Sequence, residues 1–86
     1  HKKEHISFKI IQTVKPDVYE LYIYNESKTD MEKHSYASIP DMETSSWVKE
    51  LIDSDKDPFV TCKFYKLFSK WIPISVSTVV DTIKDI

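Results

Sequence analysis

The residues of this chain best suited to chemistry are three histidines, one cysteine, a run of aspartates and many serines, and their spacing restricts what they can do. His1, His5 and His34 have no ligand spacing to Cys62 or to one another within an ordered element, so they read as solvated side chains rather than a metal site. Asp53-Ser54-Asp55-Lys56-Asp57 opens like a calcium loop, but it lacks the central glycine and the closing bidentate glutamate, so solvated charges are expected. No Gly-x-Ser-x-Gly elbow exists, because the 86 residues contain no glycine. The same absence removes the glycine loops that cradle phosphates. There is no arginine either, so every permanent cation is a lysine, a point charge without a bidentate grip. The lone Cys62 cannot form an internal disulfide; set between Val60 and Phe64, it is expected to be a small buried hydrophobe of an intracellular protein, cytoplasmic or nuclear. No catalytic residue, metal or small-molecule cofactor is expected, and the chain is not expected to be an enzyme.

What remains is a set of aromatic and basic residues. Tyr22 and Tyr24, with Lys63, Tyr65 and Trp71, are expected to share one sheet face, and Lys66 and Lys70 flank a turn beside it. Tyrosine and tryptophan are typical anchors of protein interfaces. Aromatics interleaved with lysines also suit bases stacked on rings with cations along the phosphates. Without a ligand, the same rings would be core covered by a helix, or cross-strand pairs that stiffen a sheet.

The elements that must position these residues follow from periodicity. Val60, Cys62 and Phe64 alternate with Thr61, Lys63 and Tyr65, and after a turn Ile72, Ile74 and Val76 alternate with Trp71, Pro73 and Ser75. This is a β-hairpin, Phe59 to Val76, whose apolar set faces a core. Pro73 cannot donate to a ladder, so its strand is expected to be an edge or to be bulged there. Upstream, Ile6, Phe8 and Ile10 mark a first strand, with a bulge expected near Ile11 where the parity changes. Lys15-Pro16-Asp17 is a turn, and Val18 to Tyr24 a second strand with Tyr19, Leu21 and Ile23 inward. Asn25 to Lys33 reads as a charged loop, and Ser35 to Ile39 as a short third strand. Trp47, Val48, Leu51 and Ile52 make the stripe of a helix capped by Asp41, Thr44, Ser45 or Ser46. Val79, Val80, Ile83 and Ile86 predict a second helix, with Thr78 and Asp81 as a capping box.

The C-terminal third, FVTCKFYKLFSKWIPISVSTVVDTIKDI, resembles the end of the OB-fold subdomain of covalent nucleotidyltransferases, the mRNA capping enzymes and ATP-dependent DNA ligases. In those families a strand ending near a Cys or Glu leads through a short turn to a strand with a Trp, and a helix closes the chain. Val60 to Lys63, Lys70-Trp71 and Val79 to Ile86 match that outline, and ASIPDMETSSWVKELI is similar to the connecting helix of an OB-fold. The families carry a basic motif with arginine between the tryptophan strand and the last helix; here Ile74 to Ser77 leaves no room for it. The nucleotide-accepting lysine motif is absent too. The resemblance therefore implies a barrel of the OB type and no catalytic residue.

The expected fold is α+β: a small five-stranded, mostly antiparallel curled sheet or OB-like barrel with a mid-chain helix and a C-terminal helix. Its expected core is Ile6, Phe8, Ile10, Leu21, Ile23, Trp47, Leu51, Val60, Cys62, Phe64, Ile72, Ile74, Val80 and Ile83. Residues 1–86 are expected to form a single domain of a longer protein, with residues 1–5 disordered. No apolar run approaches a membrane span, so no membrane partner is expected. A net charge of −2 gives no general attraction to nucleic acid unless charge is locally segregated. The favoured function is therefore a non-catalytic protein-interaction module, binding through the aromatic face or an edge strand. The alternative is an OB-type accessory nucleic-acid-binding domain of a nucleic-acid-processing enzyme.

Overall fold

A computed structural model describes residues 4–86. The order is β1 (His5–Gln12), β2 (Tyr19–Tyr24), β3 (Met31–Ala37), α1 (Met42–Ser54), β4 (Phe59–Tyr65) and β5 (Lys70–Ser77), followed by one 3-10 turn, Ile83–Asp85. The strands close into a barrel in the order β1-β2-β3-β5-β4. The ladders are antiparallel except the β3–β5 contact, which is parallel and pairs Ala37 with Trp71. The molecule is thus a sheet-rich α+β domain with five mostly antiparallel strands and a mid-chain helix, as the alternation predicts.

The barrel is filled by the inward set of each strand: Ile6, Phe8 and Ile10 from β1, Tyr19, Leu21 and Ile23 from β2, and Val60 and Cys62 from β4. Helix α1 starts at Asp41, whose carboxylate accepts from the Thr44 N–H at 2.8 Å, one of the four expected caps. It closes one end of the barrel with Val48 buried and Trp47, Leu51 and Ile52 half-buried against the core. The β1–β2 turn is tied to this end: Ser45 Oγ donates to Asp17 Oδ1 at 2.6 Å, with Lys49 Nζ 3.9 Å from the same oxygen.

Several expectations need correction. The C-terminal helix is absent and only the turn Ile83–Asp85 is helical, because Asp81 is committed to the strands instead. Ser7 N–H donates to Asp81 Oδ2 at 2.9 Å, Asp81 N–H donates to Ser7 O at 2.9 Å, and Tyr24 N–H donates to Asp81 O at 3.2 Å. This segment fills a fork in the barrel wall, since β1 pairs with β4 over His5–Lys9 and with β2 over Lys9–Gln12. The capping interaction moves four residues on, where Thr82 N–H donates to Asp85 Oδ2 at 2.9 Å.

The second correction concerns β5. Thr61 lies opposite Ser75 and Cys62 opposite Pro73, so Ile74 is an extra residue. The bulge expected at the proline exists, but it changes which side chains face inward. Trp71 and Pro73 are buried, Ile72 is half-buried, and Ile74 and Val76 are exposed. Third, β3 begins at Met31 rather than Ser35 and ends at Ala37, because Tyr24, Ile23 and Tyr22 pair with Met31, Glu32 and Lys33. The preceding loop shrinks to a turn in which Asn25 N–H donates to Asp30 O at 2.9 Å and Lys28 takes φ 58. Fourth, β1 carries no register shift near Ile11; Val14 is fully exposed in the turn. Fifth, Phe64 is 37% exposed and Ile83 39%, so neither belongs to the buried core. At the N-terminus, His5 is already in β1 rather than disordered, and residues 1–3 lie outside the described residues.

Candidate functional site

The face expected to unite Tyr22, Tyr24, Lys63, Tyr65 and Trp71 is divided by the barrel into two surfaces. Tyr22 and Tyr24 alternate with the buried Leu21 and Ile23 on β2 and are half-buried, Tyr24 against the core cluster. Lys63 and Tyr65 point outward from β4, on the far side of β1. The Asp81–Thr82 segment lies beside Tyr24, in the fork between β1 and β2. Trp71 is not on an outer face at all: it is 8% exposed and points into the barrel opposite Phe64.

The first surface is the outside of β2 and β3. Tyr22 sits opposite Lys33 on β3 and Lys9 on β1, and Glu20 sits opposite Tyr36. Tyr22 donates its hydroxyl hydrogen to Glu20 Oε1 at 3.3 Å, and Lys33 Nζ lies 3.6 Å from Glu20 Oε2. Lys33 also donates to the Tyr36 hydroxyl at 3.2 Å and lies 4.8 Å from the centre of that ring. The Tyr36 hydroxyl, with Glu20 behind it, holds the Lys33 ammonium above its ordinary pKa. Tyr36 and Lys33 belong to this surface although sequence reasoning placed Lys33 in a loop. The signal was weak, because Met31–Ala37 carries charge at both Glu32 and Lys33 and shows no apolar alternation.

The second surface is a barrel mouth where the start of β1, the end of β4 and the β4–β5 turn meet. It holds a cleft of about 620 Å³ whose lining includes Ile6, His34, Lys63, Phe64, Lys66 and Trp71. Its floor is a ring cluster: Trp71 lies 5.0 Å from Phe8 and 5.0 Å from Phe64, and His34 lies 6.0 Å from Trp71 and 5.8 Å from Phe8. His34 reaches the cluster through a bulge, since Leu21 pairs with Ser35 and Tyr22 with Lys33, which leaves His34 as the extra residue. It is therefore half-buried rather than solvated, and burial pushes its pKa below the usual imidazole value. Cys62 lies deeper in the same interior, and burial raises its thiol far above the ordinary range.

Lysines stand at the rim. Lys63 Nζ lies 5.4 Å from the centre of the Tyr65 ring, and Lys66 and Lys70 bracket a turn in which Phe68 N–H donates to Tyr65 O at 3.1 Å. Ser69 takes φ 51 there, the left-handed region that glycine would otherwise fill. The turn raises Leu67, 88% exposed, and Phe68, 63% exposed, into solvent. From Phe59 to Val80 the chain carries Lys63, Lys66 and Lys70 and no carboxylate. From Asp41 to Asp57 it carries Asp41, Glu43, Glu50, Asp53, Asp55 and Asp57 against Lys49 and Lys56. Charge is therefore segregated between elements, negative over 41–57 and positive on the β4–β5 hairpin, with Glu4 bordering the cleft beside Lys63 and Lys66.

Among the described residues no group of three or more His, Cys, Asp or Glu side chains is placed to hold a metal ion, and no helix is long and apolar enough to cross a membrane.

No protein-family model matches the chain. An uncharacterized protein of Acanthamoeba polyphaga mimivirus is 41% identical to it over 64 residues, covering 72% of this chain and 19% of the viral protein. The chain thus spans about a fifth of the length of that relative.

Proposed function

We propose that this domain is a non-catalytic, OB-type module that binds single-stranded nucleic acid as an accessory part of a nucleic-acid-processing protein, working inside the cell. The observation that carries this reading is the charge segregation: the β4–β5 hairpin carries three lysines and no carboxylate, whereas the acidic residues of 41–57 lie on α1 and its flanks. Segregation of this kind is what net charge alone does not report, and it offers phosphates a local positive field. The strand order, with β3 and β5 parallel and the helix between β3 and β4, supports the OB arrangement. In such barrels the strand 2–3 face and the loops after strands 1 and 4 bind oligonucleotides. Here that face carries Tyr22, Lys33 and Tyr36, and the loop after β4 carries Lys66, Leu67 and Phe68. Rings of this kind stack bases without regard to sequence.

Fluorescence anisotropy with a labelled oligothymidine at low ionic strength tests the reading. Binding is expected, and the Lys63→Ala, Lys66→Ala, Lys70→Ala triple variant should lose most of it while keeping its melting temperature. Absence of binding by the unaltered domain at low salt overturns the reading.

The protein-interaction reading is favoured by one observation, the solvent exposure of Leu67 and Phe68 at the hairpin tip. A protein docked there would be held by apolar contact. Its affinity should then fall on Leu67→Ala or Phe68→Ala and change little with salt.

A further inference from the structure

We propose that the barrel mouth is a pocket for a nucleoside 5′-monophosphate, presented free or as the phosphorylated end of a strand. This deepens the nucleic-acid reading and rests on it, but it concerns a surface separate from the outer face of β2 and β3.

The cleft, about 620 Å³, falls within the range of roughly 300–1,000 Å³ typical of small-ligand sites. Its chemistry comes in three parts that match the three parts of a nucleotide. The floor is aromatic: Trp71 and Phe64 lie 5.0 Å apart and both border the cleft, which gives a flat base an apolar surface to pack on. The rim is cationic: Lys63 and Lys66 border the cleft, and neither is paired with a carboxylate among the described residues. Lysine binds phosphate as a point charge and needs no fork geometry, so the absence of arginine is no obstacle.

The wall is apolar at Ile6 and Ile86 and carries one neutral polar group, His34. His34 is turned toward the cleft by its bulge, and its one hydrogen-bond partner among the described residues is Ser35 Oγ, 3.3 Å from Nδ1. Its Nε2 has no such partner, which leaves it to bond the edge of a base or a sugar hydroxyl. Burial disfavours the charged imidazole, which leaves the phosphate to the lysines. Glu4 also lines the mouth. A carboxylate repels phosphate but accepts from the exocyclic amino groups of adenine, cytosine and guanine. It therefore directs the phosphate to the lysine side and favours those bases over uracil and thymine.

Two-dimensional NMR on the whole chain tests this directly, because Trp71 and Trp47 give separate indole signals and Trp47, on α1, does not line the cleft. Adenosine 5′-monophosphate should shift the Trp71 indole and the His34 ring and leave Trp47 unmoved. Adenosine without the phosphate, and the Lys63→Ala, Lys66→Ala double variant, should each bind about tenfold more weakly or worse, as expected when charge-assisted contacts to phosphate are lost. Uridine 5′-monophosphate should bind more weakly than the adenosine nucleotide. A 5′-phosphorylated oligonucleotide that displaces the mononucleotide assigns the pocket to a strand end; one that does not assigns it to the free nucleotide. If an oligonucleotide binds the chain with or without its 5′-phosphate and the mononucleotide leaves Trp71 unmoved, the pocket is overturned and the strand-binding reading stands. If neither ligand perturbs the chain, both are overturned.

Discussion

Phe8 and Phe64 lie on the same side of the barrel wall and contribute unequally to it. Phe8 is fully buried, whereas Phe64 borders the open mouth and is 37% exposed. Phe8→Ala should cost about 3–5 kcal/mol through the cavity it leaves, and Phe64→Ala less than half of that. Chemical denaturation of the two variants checks the ranking. His34 gives a pH signature at the same place. Its folded-state pKa is depressed by burial, so the unfolded chain takes up the proton first as the pH falls. Its contribution to stability is fully present above the ordinary value of 6.5 and is lost progressively below it, toward the lowered folded pKa. Melting temperature against pH should show this loss in the parent and a flatter profile in His34→Gln. The residues easiest to read in the sequence were those in strict alternation: Ile6, Phe8, Ile10, Leu21, Ile23, Val60 and Cys62 are all buried as expected. His34 was not legible, because only a bulge formed with a partner strand turns it inward.

At the scale of elements, the same distinction separates what local pattern determines from what pairing determines. The hairpin, the helix and its Asp41 cap follow from local periodicity and side-chain chemistry. The bulge at Ile74 does not, since Trp71, Ile72, Pro73 and Ile74 are all apolar and either parity buries two of them. The C-terminal segment shows a stronger conflict. Val79, Val80, Ile83 and Ile86 have helical spacing, yet the amides of Ser7 and Tyr24 in the fork of the barrel wall need acceptors, and Asp81 supplies both. Asp81→Ala removes the carboxylate that accepts from Ser7 N–H. It should cost about 1–3 kcal/mol, the range for losing a charge-assisted hydrogen bond, and raise hydrogen exchange at Ser7. A loss no larger than that of an exposed surface substitution would mean that the segment is merely laid against the barrel.

For the whole molecule, the decisive property is where the charges lie. A net charge of −2 conceals a hairpin with three lysines and no carboxylate, because the six carboxylates between Asp41 and Asp57 cancel it in the sum. Sequence reasoning set local segregation as the condition for nucleic-acid binding. It favoured a protein partner on the net charge of −2 and the absence of arginine, against the cluster of Lys63, Lys66 and Lys70. In the fold the two stretches lie on different elements, the acidic one on α1 and its flanks and the basic one on the β4–β5 hairpin, where Glu4 is the carboxylate that borders the cleft beside Lys63 and Lys66. The most direct test is the salt dependence of oligonucleotide affinity. If Lys63, Lys66 and Lys70 each neutralise one phosphate, the logarithm of the binding constant should fall against the logarithm of salt concentration with a slope of about −2. In the triple alanine variant the slope should approach zero along with the affinity. Binding that is insensitive to salt, or equal in the triple variant and the parent, would contradict a nucleic-acid role for the hairpin.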